Sequence, residues 1–178
     1  MLKNDVATAS HPQAAIAGQA TIAAPANNES FLPQSTVLIV DDNPQNVELL
    51  QAFLESLPVK LVTAGDGIEA LRKVEEHHPD LILLDIMMPH MSGFQVCKRL
   101  KGDAKTRDIQ ILMVTALNEL GDIEAATECG TDDFVSKPVN KFELLTRVKS
   151  LLRVRHLKSE LERALTYLNE IEQDEEIL

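Results

Sequence analysis

From residue 36 onward, short apolar runs alternate with amphipathic stretches, and this alternation constrains the fold more than any other feature of the chain. Runs such as Leu81–Leu84 and Ile109–Val114 have no polar alternate face, as expected for parallel strands that are covered on both sides. The pattern predicts five strands, at residues 36–41, 59–63, 81–85, 109–115 and 132–136. Five strand–helix units favour an α/β fold, a doubly wound parallel sheet with helices on both faces.

The stretches between the strands carry the start signals of helices. Pro44 stands at a first helical position, where its missing N–H has no consequence. Capping side chains are expected at four helix starts, namely Asn43, Asp66, Ser92 and Asn140. Two of these resemble capping boxes, Asp66 with Glu69 and Asn140 with Glu143. A helix around residues 119–129 is also predicted, with a start weakened by Gly121.

The composition restricts the possible partners. A formal net charge of -11 argues against direct binding of nucleic acid or of an anionic membrane surface, because phosphates would be repelled. No apolar stretch reaches the roughly 18–20 residues that span a bilayer. Cys97 and Cys129 lack metal-ligand spacing and are interpreted as buried thiols of a reducing compartment. These features predict a cytoplasmic location.

The two ends of the chain differ from its middle. Residues 1–35 are rich in Ala, Gln, Asn, Ser and Thr, show no persistent period and predict a disordered tail. No Gly or Pro interrupts residues 139–178, so the last helix is expected to continue past the folded unit, 36–152. Its apolar positions follow a heptad pattern, at Val154, Leu157, Leu161, Ala164, Leu168 and Ile171. The pattern predicts a coiled-coil extension over 153–178 that pairs with another helix, or else a solvated extension that frays.

Three carboxylates follow two of the predicted strands and suggest a metal site. Asp41 and Asp42 end the run Val37–Val40, and Asp85 ends the run Leu81–Leu84. Carboxyl ends of neighbouring parallel strands meet at one edge of a sheet, where such a cluster would repel itself. A hard divalent cation resolves the repulsion, and ligation by oxygen alone suits Mg²⁺, with Mn²⁺ as a substitute. Asp85 would then be placed to attack phosphorus and form an aspartyl phosphate.

Two further strand ends supply groups suited to phosphoryl transfer. Thr115 closes the fourth predicted strand with a hydroxyl donor, and Lys137 follows the fifth with a mobile cation. Phosphoryl transfer needs mainly positioning and charge neutralisation, which such groups provide. Either residue alone is a weak signal, but together with the carboxylates they make a chance arrangement improbable.

As a set, these residues resemble the receiver domain of the bacterial two-component response regulators. The resemblance covers residues 36–152 and includes Gly93 and the Lys137–Pro138 pair. The gaps of 30 residues from Asp85 to Thr115 and 52 residues from Asp85 to Lys137 also fit the family. The resemblance implies a flavodoxin-like sheet with strand order 2-1-3-4-5 and a cis bond before Pro138.

The resemblance also implies a role for each site residue. Asp85 would be the phosphoacceptor, Lys137 would bind the phosphoryl group, and Thr115 and Phe134 would be the switch residues. The implied metal ligands are Asp41, Asp42, Asp85 and the backbone carbonyl of Met87. Thr115 would move toward the phosphoryl oxygen, and Phe134, where many relatives have Tyr, would turn inward.

The functional expectation is a phosphorylation-controlled switch rather than an enzyme, with self-phosphotransfer and self-dephosphorylation as its chemistry. A histidine kinase or a histidine phosphotransfer protein would phosphorylate Asp85. The output would be a change in homodimer pairing, through the C-terminal helix or the face formed by the fourth helix, fifth strand and fifth helix. The alternative is a regulatory fragment of a larger signalling enzyme, such as a cyclic-di-GMP cyclase or hydrolase or a serine phosphatase.

Two other classes fit the residues poorly. A flavodoxin-like electron carrier needs a phosphate-cradling loop after the first strand, and Asp41–Asn43 would repel its phosphate. A phosphatase with an aspartate nucleophile usually has a second Asp two residues later, where this chain has Met87.

Overall fold

The computed structural model describes residues 34–116 and 128–175, with side chains described as far as Ile171. Five parallel strands form one sheet in the order β2-β1-β3-β4-β5. The strands are β1 (Ser35–Val40), β2 (Val59–Ala64), β3 (Leu81–Asp85), β4 (Gln110–Thr115) and β5 (Asp133–Ser136). The predicted α/β fold and strand order are therefore confirmed, with strand limits within one residue of those expected.

Four helices are described around this sheet. They are α1 (Pro44–Leu54), α2 (Gly67–His77), α3 (Gly93–Gly102) and the C-terminal helix (Lys141–Glu175). The helix predicted around 119–129 and the tail predicted over 1–35 lie outside the described residues, apart from their last two residues each. Within the described ranges, no helix combines the length and apolarity that crossing a bilayer requires.

The predicted caps form, but not always as complete boxes. The side chains of Asn43, Asp66, Ser92 and Asn140 each accept a hydrogen bond from a backbone N–H in the first helical turn. Ser92 belongs to a full capping box with Gln95. Glu69 instead accepts from the N–H of Gly65, and Glu143 pairs with Arg147. The N-cap side chain is thus predictable from sequence, whereas the reciprocal Glu contact depends on competing partners.

Two apolar clusters cover the two faces of the sheet, which explains why the strands lack polar alternation. Ile82 and Leu84 of β3 belong to the cluster beneath α2 and α3. Leu81 and Leu83 belong to the opposite cluster, beneath α1 and the C-terminal helix. All four side chains are fully buried, so consecutive residues of β3 enter different cores.

The C-terminal helix first covers the sheet and then leaves it. Its buried residues are Leu144, Val148, Leu151 and Leu152. Just beyond them, polar contacts tie it to the sheet edge where the strands begin. Arg155 lies 3.9 Å from Asp80, His156 hydrogen-bonds Ser35 at 2.9 Å, and Lys158 pairs with Asp108. The predicted long helix is present, and its pairing as a coiled coil stays a prediction.

Candidate functional site

The carboxyl ends of four strands bring the predicted site residues to one edge of the sheet. Asp85 is the last residue of β3 and lies beside Val114 of β4. Thr115 is the last residue of β4 and lies beside Ser136, the last residue of β5. Asp41 follows β1, which is the neighbour of β3 on its other side. The parallel register therefore produces the convergence that the strand-end pattern predicts.

Three carboxylates form a compact cluster at this edge. One oxygen from each of Asp41, Asp42 and Asp85 lies within 4.8 Å of the others. Asp41 and Asp85 are only 2% and 4% exposed, whereas Asp42 is exposed to solvent. Two carboxylates of the cluster are thus buried, and the third faces solvent.

Lys137 connects the two buried carboxylates. Its ammonium nitrogen lies 2.8 Å from Oδ2 of Asp41 and 2.9 Å from Oδ1 of Asp85. The N–H of Lys137 donates to the carbonyl of Thr115 at 2.7 Å, which fixes the start of the loop after β5. The Lys137–Pro138 bond is cis. Among the described contacts, the ammonium group of Lys137 is therefore shared by two of the three clustered carboxylates.

Asn46 is a site residue that the sequence reasoning missed. Its amide nitrogen donates to both carboxylate oxygens of Asp41, at 3.0 and 3.1 Å. The backbone N–H of Asn43 adds a third donor to Asp41 at 2.9 Å. An Asn in the first turn of a helix that follows an acidic strand end is the signal that would have identified it. These donors hold the Asp41 carboxylate in one orientation.

Burial and charge act in opposite directions on the pKa values of the two central residues. Burial raises the pKa of Asp85 above its ordinary value, against the lowering effect of Lys137. Burial lowers the pKa of Lys137, but its hydrogen bonds to Asp41 and Asp85 outweigh this effect and raise it overall. Lys137 therefore stays charged, and a further positive charge would favour the ionised form of Asp85.

Gly93 permits the loop after Asp85 to return close to the strand. A Cβ at position 93 would lie 2.2 Å from the carbonyl oxygen of Asp85 and 3.0 Å from the Cα of Ile86. These are backbone atoms, which cannot move aside without displacing the end of β3. The N–H of Gly93 also donates to the carbonyl of Ile86 at 3.0 Å. Glycine at this position is therefore required by the geometry around Asp85.

The remaining predicted residues occupy distinct positions around the cluster. Thr115 is buried at the end of β4. Phe134 lies on β5 and is 41% exposed, and Met87 lies in the loop after β3 and is 69% exposed.

The cluster has the donor chemistry of a site for a hard divalent cation. Carboxylate oxygens are the ligands that Mg²⁺ prefers, and a site with one solvent-facing ligand suits an ion that retains waters. Three acidic groups beside one ammonium leave an excess of negative charge, which a cation would offset. The residues present therefore fit Mg²⁺.

Residues 37–149 match the model of the response regulator receiver domain family. The chain belongs to this family of two-component signalling domains. The match excludes the tail and the free part of the C-terminal helix.

Two relatives differ in how much of their own length the chain matches. The chain is 44% identical over 125 residues to Response regulator PleD of Caulobacter vibrioides, covering 70% of this chain and 28% of that protein. It is 38% identical over 117 residues to Polar-differentiation response regulator DivK of Brucella ovis, covering 66% of this chain and 95% of that protein. The chain thus matches about a quarter of PleD but nearly all of DivK.

Solved receiver domains have the same fold. A receiver domain of a signal transduction histidine kinase from Syntrophus aciditrophicus is 37% identical, with a TM-score of 0.64, and covers 67% of this chain and 90% of its own. A receiver domain of a sensor histidine kinase from Pseudomonas aeruginosa is 29% identical, with a TM-score of 0.62, and covers 67% and 98%. Its active site cleft holds a coordinated magnesium ion.

Proposed function

We propose that residues 36–152 form a phosphoacceptor switch in which Asp85 accepts a phosphoryl group. The observation that carries this proposal is the position of Asp85 itself. Its carboxylate is buried at a strand end, 2.9 Å from a charged ammonium group and within 4.8 Å of two further carboxylates. A structural aspartate in such surroundings would have its own partner, whereas Asp85 shares Lys137 with Asp41.

The chemistry requires an in-line displacement at phosphorus. A carboxylate oxygen of Asp85 attacks, the bond from phosphorus to the donor's nitrogen or oxygen breaks, and the leaving group takes its electron pair. Lys137 then binds a phosphoryl oxygen, because its ammonium group already lies at hydrogen-bond distance from Asp85. Asp41, Asp42, Asp85 and the Met87 carbonyl would hold Mg²⁺ or Mn²⁺, which supplies charge neutralisation when bound.

The readout is assigned to residues beside the cluster. The Thr115 hydroxyl would move toward the phosphoryl group, and Phe134, now 41% exposed, would turn toward the space that Thr115 leaves. These movements would alter β5 and the first part of the C-terminal helix. In this proposal, self-phosphotransfer and self-dephosphorylation are the catalytic steps, and the result is a signal.

The phosphodonor is proposed to be a histidine kinase or a histidine phosphotransfer protein of the cytoplasm. Membership of the receiver family supports this class of partner. The signal would leave the domain through homodimer pairing, either of the C-terminal helix or of the face around β5. Direct binding of nucleic acid is not part of the proposal, because the net charge is -11.

Labelling with a small phosphodonor tests the assignment. Wild-type protein with acetyl phosphate and Mg²⁺ should gain one phosphoryl group by mass spectrometry, and Asp85→Asn should gain none. Asp108→Asn, an aspartate that pairs with Lys158 at the opposite sheet edge, is the matched control and should label normally. Persistent labelling of Asp85→Asn would refute the assignment.

A second candidate is a regulatory segment of a larger signalling enzyme. The observation that favours it is the match to only 28% of PleD, whose remaining length has no counterpart in this alignment. The phosphoacceptor chemistry is the same in both proposals, and only the recipient of the signal differs. Sequencing the complete reading frame decides between them: a catalytic domain in the same frame supports the second, and its absence refutes it.

A further inference from the structure

The C-terminal helix presents an apolar seam beyond the sheet. Val154, Leu157, Leu161 and Leu168 are between 50% and 60% exposed, and Ala164 and Ile171 lie in the same seam. Apolar side chains at heptad positions along one helix face are stabilised by a second helix that covers them. A second helix is therefore expected to cover the seam, and the charges beside the seam indicate which helix it is.

Charge changes sign along this helix. All five charged residues from 144 to 159 are Lys or Arg, whereas seven of the eight charged residues from 160 to 178 are acidic. Three of the five basic residues, Arg147, Arg155 and Lys158, already pair with acidic residues in the described structure, and Lys149 and Arg153 are exposed. The helix therefore has a basic base near the receiver domain and an acidic distal half. Two copies of such a helix are complementary in one relative orientation and repel in the other.

A parallel pair would place like charges together. With Val154 at heptad position a, Arg153 is at position g and Lys158 at position e. In a parallel pair, the residue at g approaches the residue at e of the next heptad in the other copy. Arg153 would then approach Lys158 of the second copy, and the acidic distal halves would also lie side by side.

An antiparallel pair removes both conflicts and keeps the apolar layers. Leu157 then faces Leu168 of the second copy, Leu161 faces its Ala164, and Val154 faces its Ile171. The acidic distal half of each copy lies along the basic base of the other, where Arg153 is exposed. The helix dipoles are also opposed, which is the favourable arrangement.

We propose that the occupant of this seam is the same helix of a second copy, in antiparallel orientation. The two receiver domains then lie at opposite ends of the pair. The inference rests on the helix-pairing part of the proposed function, but it requires no phosphorylation of Asp85. Its test and the labelling test can therefore fail separately.

Disulfide trapping in the unphosphorylated full chain measures the orientation. Leu157→Cys and Leu168→Cys proteins, one carrying a size tag, are mixed in a glutathione redox buffer. We expect the mixed disulfide to dominate, with little of either homodisulfide. The native Cys97 and Cys129 are buried and do not compete.

The matched control uses Ser159→Cys with Thr166→Cys. These positions lie at the same level in the antiparallel pair but at heptad position f, on the outer face, and should not cross-link. Homodisulfides of Leu157→Cys and Leu168→Cys would overturn the proposal in favour of a parallel pair. A monomer by light scattering would overturn it as well, and neither result would affect labelling at Asp85.

Reversing the charge of Arg153 gives an independent test, because antiparallel and parallel pairs predict opposite changes in self-association. Arg153→Glu should weaken self-association of an antiparallel pair by about fivefold, because a Glu would face the acidic half of the second copy. In a parallel pair the same variant would approach Lys158 and strengthen association. Sedimentation equilibrium measures the change, and stronger association would refute the proposal.

Discussion

The aspartates at the two edges of the sheet differ in how hydrogen-bond donors are supplied to them. At the edge where the strands begin, each aspartate has its own donors. Asp132 accepts from Lys101 at 2.6 Å and from the N–H of Ile111 at 2.7 Å. Asp80 accepts from the N–H of Thr36 at 2.9 Å. At the edge where the strands end, Asp41 has donors of its own in Asn46 and Asn43, but the described donor to Asp85 is the ammonium group of Lys137, which it shares with Asp41.

Under the proposed function, this difference separates a structural use of charge from a chemical one. A carboxylate with its own donors is satisfied, and a cation has little to gain there. Asp85, whose described donor is shared, keeps binding capacity at some cost in stability. The proposal thus gives aspartates at the opposite edges of one sheet different roles, and variants can test this contrast.

The largest effect is expected from replacing the lysine at each edge with methionine. Lys137→Met should slow labelling by acetyl phosphate by about 100-fold, because it removes the cation that stabilises the transferring phosphoryl group. Lys101→Met should label normally but lose about 1–3 kcal/mol of unfolding free energy, because Asp132 and the Ile109 carbonyl each lose the hydrogen bond that Lys101 donates. Labelling rates and urea unfolding measure the two losses. Equal effects on labelling would invalidate the contrast.

A smaller effect is expected on cation affinity. Mg²⁺ should raise the melting temperature of the wild-type protein, since a ligand that binds the folded state stabilises it by about 2.7 kcal/mol at 100 times its Kd. Asp42→Asn should weaken Mg²⁺ binding by about tenfold, because one ligand charge is lost from the site. Asp80→Asn, at the other edge, should leave Mg²⁺ affinity unchanged. Titration followed by calorimetry provides the values, and similar losses in both variants would contradict the assignment.

The smallest effect is a difference in pH dependence. Burial raises the pKa of Asp85 above 3.8, so its ionisation destabilises the fold. The stability of wild type relative to Asp85→Asn should therefore fall as pH rises from 3.8 through the raised pKa.

Asp108 should show the opposite slope. Its hydrogen bond to Lys158 lowers its pKa, so it contributes stability above 3.8 that is lost as pH falls through the lowered value. Urea unfolding of both variants over about pH 3 to 7 gives the two slopes. If the stability contributions of Asp85 and Asp108 changed with pH in the same direction, the proposed difference between the two edges would be refuted.

The sequence predicts the features that depend on local pattern. β3 was predictable because a strand covered on both faces is apolar throughout, and Asp85 was conspicuous because it ends that run. The convergence of Asp41 and Asp85 follows from parallel strands alone. By contrast, the Lys101–Asp132 pair joins residues 31 apart in the chain, and no local pattern indicates it.

The donor role of Asn46 was missed for a related reason. Asparagine in a first helical turn is common, and its bond to Asp41 depends on how α1 packs against β1. The same holds for Glu143, which the sequence assigns to a cap and the structure pairs with Arg147. Side-chain choices among several nearby partners are decided by tertiary packing.

The anchorage of the C-terminal helix by Arg155, His156 and Lys158 has a mechanical consequence. Residues 159–175 extend about 25 Å past this fulcrum, at about 1.5 Å per residue. A tilt of about 10° at the anchorage would carry the far end about 4 Å, which is about three-quarters of the rise of one helical turn. A small tilt at the anchorage is thus amplified along the helix, so the far end of the helix is where a spectroscopic probe would detect the proposed switch most sensitively.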